Sequence, residues 1–230
     1  CKWPRDYLLR WWTRRFVGPL ARSCKEMFVI VDKEKEDTDA RFGTDSVILT
    51  KSVDFSNKFF NQRAHHKPLR FVYTGSLVIG RDATLALLAD TINSINHDLG
   101  SERIKLDIYS QTLPSKMIMQ HINHGSCHYC GSIPHQQVEQ VIQDSDVVIF
   151  AEALSGKQAK IARLSFSTKI TDYLSGGKCI LAIGGEDIAP IDYLRRYNAA
   201  IIATSETEIR YRIKEILDHE ELIDKFGKNA

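Results

Sequence analysis

Residues 146–183 read DVVIFAEALSGKQAKIARLSFSTKITDYLSGGKCILAI and contain two short, near-continuous apolar runs, DVVIF and CILAI. A longer segment with helical spacing lies between them. Strands that are apolar without alternation are buried on both faces, as in a parallel sheet covered by its crossover helices. This stretch therefore predicts two parallel strands joined by a helical connection.

The same alternation of strands and helices continues from residue 70 to the end of the chain. The predicted strands are Arg70–Thr74, Lys105–Tyr109, Cys127–Gly131, Val147–Phe150, Cys179–Ile183 and Ala200–Ala203. The predicted helices cover residues 82–98, 115–123, 135–144, 168–176, 188–197 and 206–218. We expect an α/β domain with a doubly wound, parallel, Rossmann-like sheet and helices on both faces.

A second, smaller α/β unit precedes this domain. FVIVD at 28–32 and SVILT at 46–50 predict two strands, separated by the acidic run DKEKEDTD and a short helix. The following segment lacks a clear period and ends at Pro68, as linkers do. We predict that residues 1–55 are the remnant of a preceding domain, 56–69 a linker and 70–230 the second domain. We expect a longer parent protein.

Composition and charge narrow the class of protein. The 230 residues are 43% hydrophobic, enough for a buried core, and the formal net charge of +2 gives no field that favours nucleic acid. Five cysteines without the density of a disulfide scaffold favour a reducing cytoplasm. No apolar run reaches the roughly 18 residues of a membrane span.

The segment GSLVIGRD at 75–82 has the glycine spacing of a phosphate-binding P-loop, but Arg81 replaces the lysine and Asp82 the hydroxyl residue. Gly75 allows the backbone to approach a ligand, and Arg81 is suited to phosphate oxygens. Asp82 would repel phosphates and fits the first turn of a helix instead. An ordinary turn between strand and helix is the alternative interpretation.

A second candidate segment, STKITDYLSGGK at 167–178, begins a helix. Ser167 or Thr168 is suited to its N-cap, and Lys169 would project from its first turn. We expect Asp172, three residues after Lys169, to act as the acid of a capping box. Ligands of open α/β sheets bind at the carboxyl ends of the strands, so both candidate segments should share one rim. A capped helix without a ligand is the alternative.

These motifs resemble one known family. STKITDYLSGGKCILAIG is similar to the motif P-S-K-x-x-E-Y-x-A-x-G-K-P in the C-terminal, donor-binding domain of GT-B glycosyltransferases, especially the retaining family-4 type. HQQVEQVIQDSDVVIF, YTGSLVIGRDATLALLADTI and the closing NAAIIATSETEIRYRIKEILDHEELIDKFGKNA resemble other parts of that domain. The resemblance covers roughly residues 25–230 in consistent order.

The resemblance implies a glycosyltransferase, of hexosyltransferase type, that uses a nucleoside-diphosphate sugar and needs no metal or other cofactor. Its implied acceptor is a glycan or a lipid-linked acceptor. Arg81 and Lys169 match the cations that bind the diphosphate and stabilise the leaving group. Asp172 matches the acid that binds the ribose hydroxyls. The remaining implied donor-binding residues are Gly75, Ser76, Thr168, Ile133 and Pro134, the last two near the nucleobase.

Two positions depart from the family pattern. Ser76 stands where the family often has a second cation, and Leu164 stands where it has a glutamate. A GT-B-like binding or scaffolding module without catalysis, and another Rossmann-type phosphate binder, therefore stay open. Because the acceptor side would lie mostly on the preceding domain, we expect this chain alone to be inactive.

Three further patterns receive simpler interpretations. HINHGSCHYC at 121–130 has ligand-type side chains at every third position, but its predicted strand favours buried thiols over a zinc site. WPRDYLLRWWTRRFVG at 3–18 combines tryptophans with basic residues; we expect aromatics that pack on the rest of their domain, with peripheral attachment to the inner membrane as the alternative. We expect the pair His65–His66 to be solvated.

Overall fold

The computed structural model describes residues 4–50 and 64–229. The described part of the chain divides into two compact units, one within residues 1–52 and one within residues 53–230. Most of the predicted linker, 56–69, lies outside the described residues, and Leu69 begins a strand of the second unit.

The first unit contains two parallel strands connected by a helix. Its elements are α1 (Pro4–Trp12), a π-helical turn (Thr13–Val17), α2 (Gly18–Ser23), β1 (Phe28–Val29), α3 (Asp32–Phe42) and β2 (Val47–Ile48). Both strands are shorter than predicted. The acidic run does not precede the helix but forms it, because Asp32 and Glu34 occupy its first turn, where the helix dipole favours negative charge. Gly43 ends α3 with φ 69°.

Within residues 64–229, six strands form one parallel sheet. They are β3 (Leu69–Thr74), β4 (Ile104–Tyr109), β5 (Cys127–Gly131), β6 (Val147–Ala151), β7 (Cys179–Ile183) and β8 (Ile201–Ala203). Their order across the sheet is β5-β4-β3-β6-β7-β8. Each predicted strand is present, with its bounds changed by one residue at most, so the doubly wound parallel sheet is confirmed.

Eight helices accompany this sheet within the same residues. They are α4 (Arg81–Asp98), α5 (Lys116–Ile122), α6 (His135–Gln143), α7 (Gly156–Ala162), α8 (Lys169–Ser175), α9 (Ala189–Arg196), α10 (Glu206–Asp218) and α11 (Glu221–Asn229). The six predicted helices are all present, and α11 forms from the run LIDKFGKNA. Helix α7 was not predicted, since its seven residues bury only Ala162 and show no apolar stripe.

Strand β6 shows why its sequence is apolar throughout. Val147 and Ile149 belong to a core that packs under α4, α5, α10 and α11. Val148 and Phe150 belong to a second core, which packs under α6, α8 and α9. Successive side chains of a strand point to opposite faces, so a sheet covered on both faces requires apolar residues at every position.

The histidines before β3 are bound to the amino-terminal edge of the sheet. His66 Nδ1 lies 3.0 Å from Oδ1 of Asp146, and the Arg70 backbone N–H donates to Oδ2 of the same carboxylate at 2.7 Å. His65 Nε2 lies 3.3 Å from Asp224 Oδ1, and only 14% of the His65 side chain is exposed. The prediction that this pair is solvated holds for His66, whose side chain is 43% exposed, but was wrong for His65, which acidic side chains of the domain largely bury.

Candidate functional site

The candidate site lies at the carboxyl edge of the sheet, where the strand order changes direction. From β3 the chain moves to β4 on one side, and it returns to β6 on the other side. Ligands of doubly wound sheets bind in the crevice at this switch point. The residues that follow β3 and β6, Gly75 and Glu152, therefore lie at this switch point.

The loop after β3 is shaped by two glycines. A Cβ built on Gly75 would lie 2.0 Å from Lys169 Nζ and 2.9 Å from the Tyr73 hydroxyl, so no larger residue fits without displacing them. Gly80, with φ 80°, precedes α4, and a Cβ there would lie 2.9 Å from that of Ala153. Between them, the β-branched Ile79 has φ 57°, which is strained for such a residue. The loop is held tightly against its neighbours.

Arg81, the first residue of α4, pairs with a buried acid. Its Nη2 donates to Glu152 Oε1 at 2.6 Å and its Nε donates to Oε2 at 3.0 Å. The Glu152 side chain is 1% exposed and that of Arg81 is 17% exposed. This two-point geometry is the strongest form of an arginine–carboxylate hydrogen bond. The guanidinium that was expected to face a diphosphate is thus occupied by an internal partner.

Lys169, the first residue of α8, is partly buried beside this pair. Its ammonium lies against Gly75 and 5.7 Å from the centroid of the Tyr73 ring. Burial, and then the positive charge of Arg81, lower the pKa of Lys169 from 10.5 to about 8, while the Glu152 carboxylate opposes this. A bound anion would oppose both effects, because a nearby negative charge stabilises the protonated lysine.

Two buried tyrosines support the rim. The Tyr73 hydroxyl donates to the backbone carbonyl of Ser76 at 2.7 Å, and the Tyr173 hydroxyl donates to the carbonyl of Thr74 at 3.2 Å. Burial raises the pKa of Tyr173 to about 12 and also raises that of Tyr73, so both phenols stay protonated. The loop after β3 is therefore fixed by two hydroxyl donors.

A cavity of about 510 Å³ opens at this edge. Its lining comes from the ends of β3 and β4, the segments after β3, β4 and β5, and helices α6 and α8. The lining residues are Thr74, Gly75, Ser76, Tyr109, Ser110, Gln111, Thr112, Ser132, Ile133, His135, Val138, Ile142, Lys169, Asp172 and Tyr173. Its volume falls in the range of small-molecule sites.

The cavity brings together five of the eight predicted site residues, namely Gly75, Ser76, Ile133, Lys169 and Asp172. Arg81, Pro134 and Thr168 are not among its lining residues. Pro134 immediately precedes α6. Thr168 is the N-cap residue of α8, but its side chain makes no capping hydrogen bond, so the predicted capping box is absent.

Several contributors to the site were not predicted. Glu152 follows a buried strand directly, and an acid in that position was a usable signal. The segment after β4, which supplies Ser110, Gln111 and Thr112, contains no glycine loop or cation that would have marked it. Tyr173 is a buried residue of α8, and an aromatic residue inside a helix is not distinguished in the sequence from an ordinary core residue.

For the segment at 121–130, the alternative to buried thiols was a zinc site. Among the described residues, no group of three His, Cys, Asp or Glu side chains is arranged to hold a metal ion. Cys127 is buried in β5, as predicted, whereas Cys130 is exposed. His121 Nδ1 lies 2.8 Å from an oxygen of Asp90.

The two described tryptophans of the first unit are exposed within it. Trp11 and Trp12 are 52% and 58% exposed. The ring centroids of Trp12 and Phe16 lie 4.6 Å apart. Within the described residues, no helix combines the length and apolar character that crossing a membrane requires.

The chain was compared with known proteins by sequence and by structure, and only the structural comparison found matches. No known family model matches the sequence, and no curated protein sequence matches it. S. aureus TarM is similar over 94% of this chain and 41% of its own, with 13% identity and a TM-score of 0.66. Anabaena HepE, solved with UDP and glucose, is similar over 94% of this chain and 60% of its own, with 10% identity and a TM-score of 0.66.

A third structure matches a single domain. The C-terminal domain of a group 1 glycosyl transferase, LpcC from Francisella tularensis, covers 77% of this chain and 94% of its own length, with 11% identity and a TM-score of 0.56. The chain thus spans about two fifths of TarM but matches nearly all of that domain. The GT-B fold implied by the sequence resemblance is confirmed.

Proposed function

We propose that this chain carries the nucleotide-sugar site of a glycosyltransferase that transfers a hexose to a glycan or lipid-linked acceptor. The observation that carries the proposal is the position of Lys169, a partly buried cation lining a 510 Å³ cavity at the carboxyl edge of a GT-B sheet. Structures of the same fold support the ligand class, since HepE was solved with UDP and glucose and TarM with UDP and α-GlcNAc-glycerol.

In this proposal, the Lys169 ammonium binds the diphosphate of the sugar donor. Gly75 leaves room for a phosphate near the backbone, and Ser76 offers a hydroxyl on the same wall of the cavity. Asp172, also on the lining, accepts hydrogen bonds from the ribose hydroxyls. The base lies near Ile133 and Pro134.

The reaction breaks the bond between the anomeric carbon of the sugar and a phosphate oxygen. Negative charge develops on the departing diphosphate, so a cation fixed beside it lowers the barrier. Lys169 supplies that charge directly. Arg81 contributes from behind the cavity wall, with its charge partly balanced by Glu152. No metal is required in this proposal.

A binding module without catalysis is the second candidate. It is favoured by Ser76 and Leu164, which are uncharged where the family has charged residues, and by the pairing of Arg81 with Glu152. Such a module would bind a nucleoside diphosphate without releasing it from a sugar.

The proposal is tested by a thermal-shift screen of UDP, GDP, ADP and their sugars. We expect at least one nucleotide to raise the melting temperature of the wild-type protein. Lys169→Met should abolish the shift, while Lys214→Met, an exposed lysine on α10, should retain it. If no nucleotide shifts the folded wild-type protein, the proposal fails. Measuring sugar transfer or hydrolysis with the full parent protein then separates the enzyme from the binding module.

A further inference from the structure

Glu152 is a fully buried carboxylate at the switch point of the sheet, and both its backbone and its side chain are fixed. Its N–H donates to the carbonyl of Ile183 on β7 at 2.8 Å, and its own carbonyl accepts from the Thr84 hydroxyl on α4 at 2.8 Å. Its two carboxylate oxygens accept from Arg81. The side chain therefore ties the start of α4 to the end of β6.

A buried carboxylate is costly unless it is paired and hydrogen-bonded. Here it has a specific electrostatic setting, because the cations Arg81 and Lys169 stand on the same rim. Burial lowers the pKa of Lys169 most, the positive charge of Arg81 lowers it further, and the Glu152 charge acts in the opposite direction. The described groups around Lys169 also include the phenols of Tyr73 and Tyr173, and Asp172 and His135 on the cavity lining.

We infer that Glu152 is a positioning residue of the proposed donor site: by fixing and balancing Arg81, it keeps Lys169 available as a cation for the diphosphate. The inference rests on the proposed function. The carboxylate does not touch the ligand itself, since it lies behind the cavity wall with 1% exposure. Its role is to allow two cations to occupy one rim.

This role has a signature in the pH dependence of binding. The protonated lysine binds the diphosphate, so affinity should fall as the pH rises through the pKa of Lys169 in the free protein, about 8. In Glu152→Gln the opposing negative charge is gone while Arg81 remains, so the midpoint should move to lower pH. A residue with a merely structural role would change affinity or stability without moving this midpoint.

The experiment measures UDP affinity by calorimetry between pH 6 and 9.5. We expect Glu152→Gln to lower the midpoint by about one pH unit, which corresponds to about a fivefold weaker affinity at pH 8 and about a tenfold weaker affinity at pH 9.5. The double variant Arg81→Gln with Glu152→Gln, which removes both charges of the pair, should return the midpoint to the wild-type value or above. It also provides a folded alternative if the single variant leaves an uncompensated buried arginine that prevents folding. Lys169→Arg should flatten the pH dependence, because arginine does not titrate in this range.

A readout without nucleotide separates this inference from the proposed function. Lysine side chains can be ¹³C-methylated, and the Lys169 resonance identified by its absence in Lys169→Arg. Titration of that resonance should give a lower pKa in Glu152→Gln than in the wild type. An unchanged pKa in the folded single variant would overturn the inference, and so would a double variant whose Lys169 pKa lies below the wild-type value. A lowered pKa in a protein that binds no nucleotide would support the coupling and reject the proposed function.

Discussion

The Lys169 ammonium lies against the backbone of Gly75, so closely that a Cβ on Gly75 would stand 2.0 Å from Nζ. This contact joins the loop after β3 to the start of α8, two segments that are some ninety residues apart in the sequence. It makes the position of the cation depend on the absence of a side chain at residue 75.

Gly75→Ala should therefore weaken nucleotide binding more than it weakens the fold. The flexible end of the lysine can move away from the new methyl group, but it then leaves its place on the cavity lining, and the buried Tyr73 hydroxyl, 2.9 Å from a Cβ, has to shift only slightly. We expect about a tenfold loss of affinity for a nucleoside diphosphate, or about 1.4 kcal/mol, by calorimetry. Gly18→Ala, where the nearest atom to a Cβ lies at 3.6 Å, is the control. Unchanged affinity in Gly75→Ala would mean that the contact has no part in binding.

Lys169→Met should stabilise the folded protein although it abolishes nucleotide binding. Because the pKa of Lys169 falls from 10.5 to about 8 on folding, the fold disfavours the charged form. The penalty is fully present below pH 8, decreases as the pH rises from 8 to 10.5, and vanishes above that range. At pH 7 we expect a gain of about 1 kcal/mol, or about 2–4 °C in melting temperature, with no gain near pH 11. A lower melting temperature at pH 7 would contradict the conclusion that the fold disfavours the charged form of Lys169.

Tyr173→Phe should lower stability by removing a buried hydrogen bond. The hydroxyl donates to the Thr74 carbonyl and lies 3.1 Å from the Thr74 hydroxyl. We expect a loss of about 1 kcal/mol in the free energy of unfolding by urea titration. Tyr211→Phe, whose ring is on the surface of α10, should change nothing measurable. Equal effects of the two substitutions would show that the buried hydroxyl does not stabilise the rim.

Removal of divalent metals should leave nucleotide binding unchanged. In the proposed site, Lys169 and Arg81 provide the positive charge that Mg²⁺ provides in triphosphate loops. We expect the same affinity for a nucleoside diphosphate in EDTA and in about 5 mM Mg²⁺, with the ionic strength of the two solutions matched. Binding that requires Mg²⁺ would contradict the proposed distribution of charge.

Much of the fold was predictable because a parallel sheet that is covered by helices on both faces requires strands that are apolar throughout. DVVIF and CILAI satisfy this requirement so fully that the position of β6 and β7 followed from the sequence. Helix α7 did not follow, since a short helix with one buried residue carries no period that distinguishes it from a loop.

The site was predictable only in part. Gly75 and Lys169 belong to local patterns that indicate a turn and a helix start, and the topology then brings them together. The pairing of Arg81 with Glu152 depends on the order of β3 and β6 in the sheet, which no local pattern specifies. For that reason the same arginine was expected to be a free phosphate ligand.

The most direct test of the proposed site compares a nucleoside diphosphate with its nucleoside, using the base that gives the largest thermal shift. Calorimetry on the wild type and on Lys169→Met measures how much affinity the two phosphates contribute in each protein. We predict that the diphosphate binds the wild type at least about tenfold more tightly than the nucleoside, and that Lys169→Met removes this difference. Equal affinities in the wild type, or an undiminished difference in Lys169→Met, would contradict the assignment of this cavity as a diphosphate site.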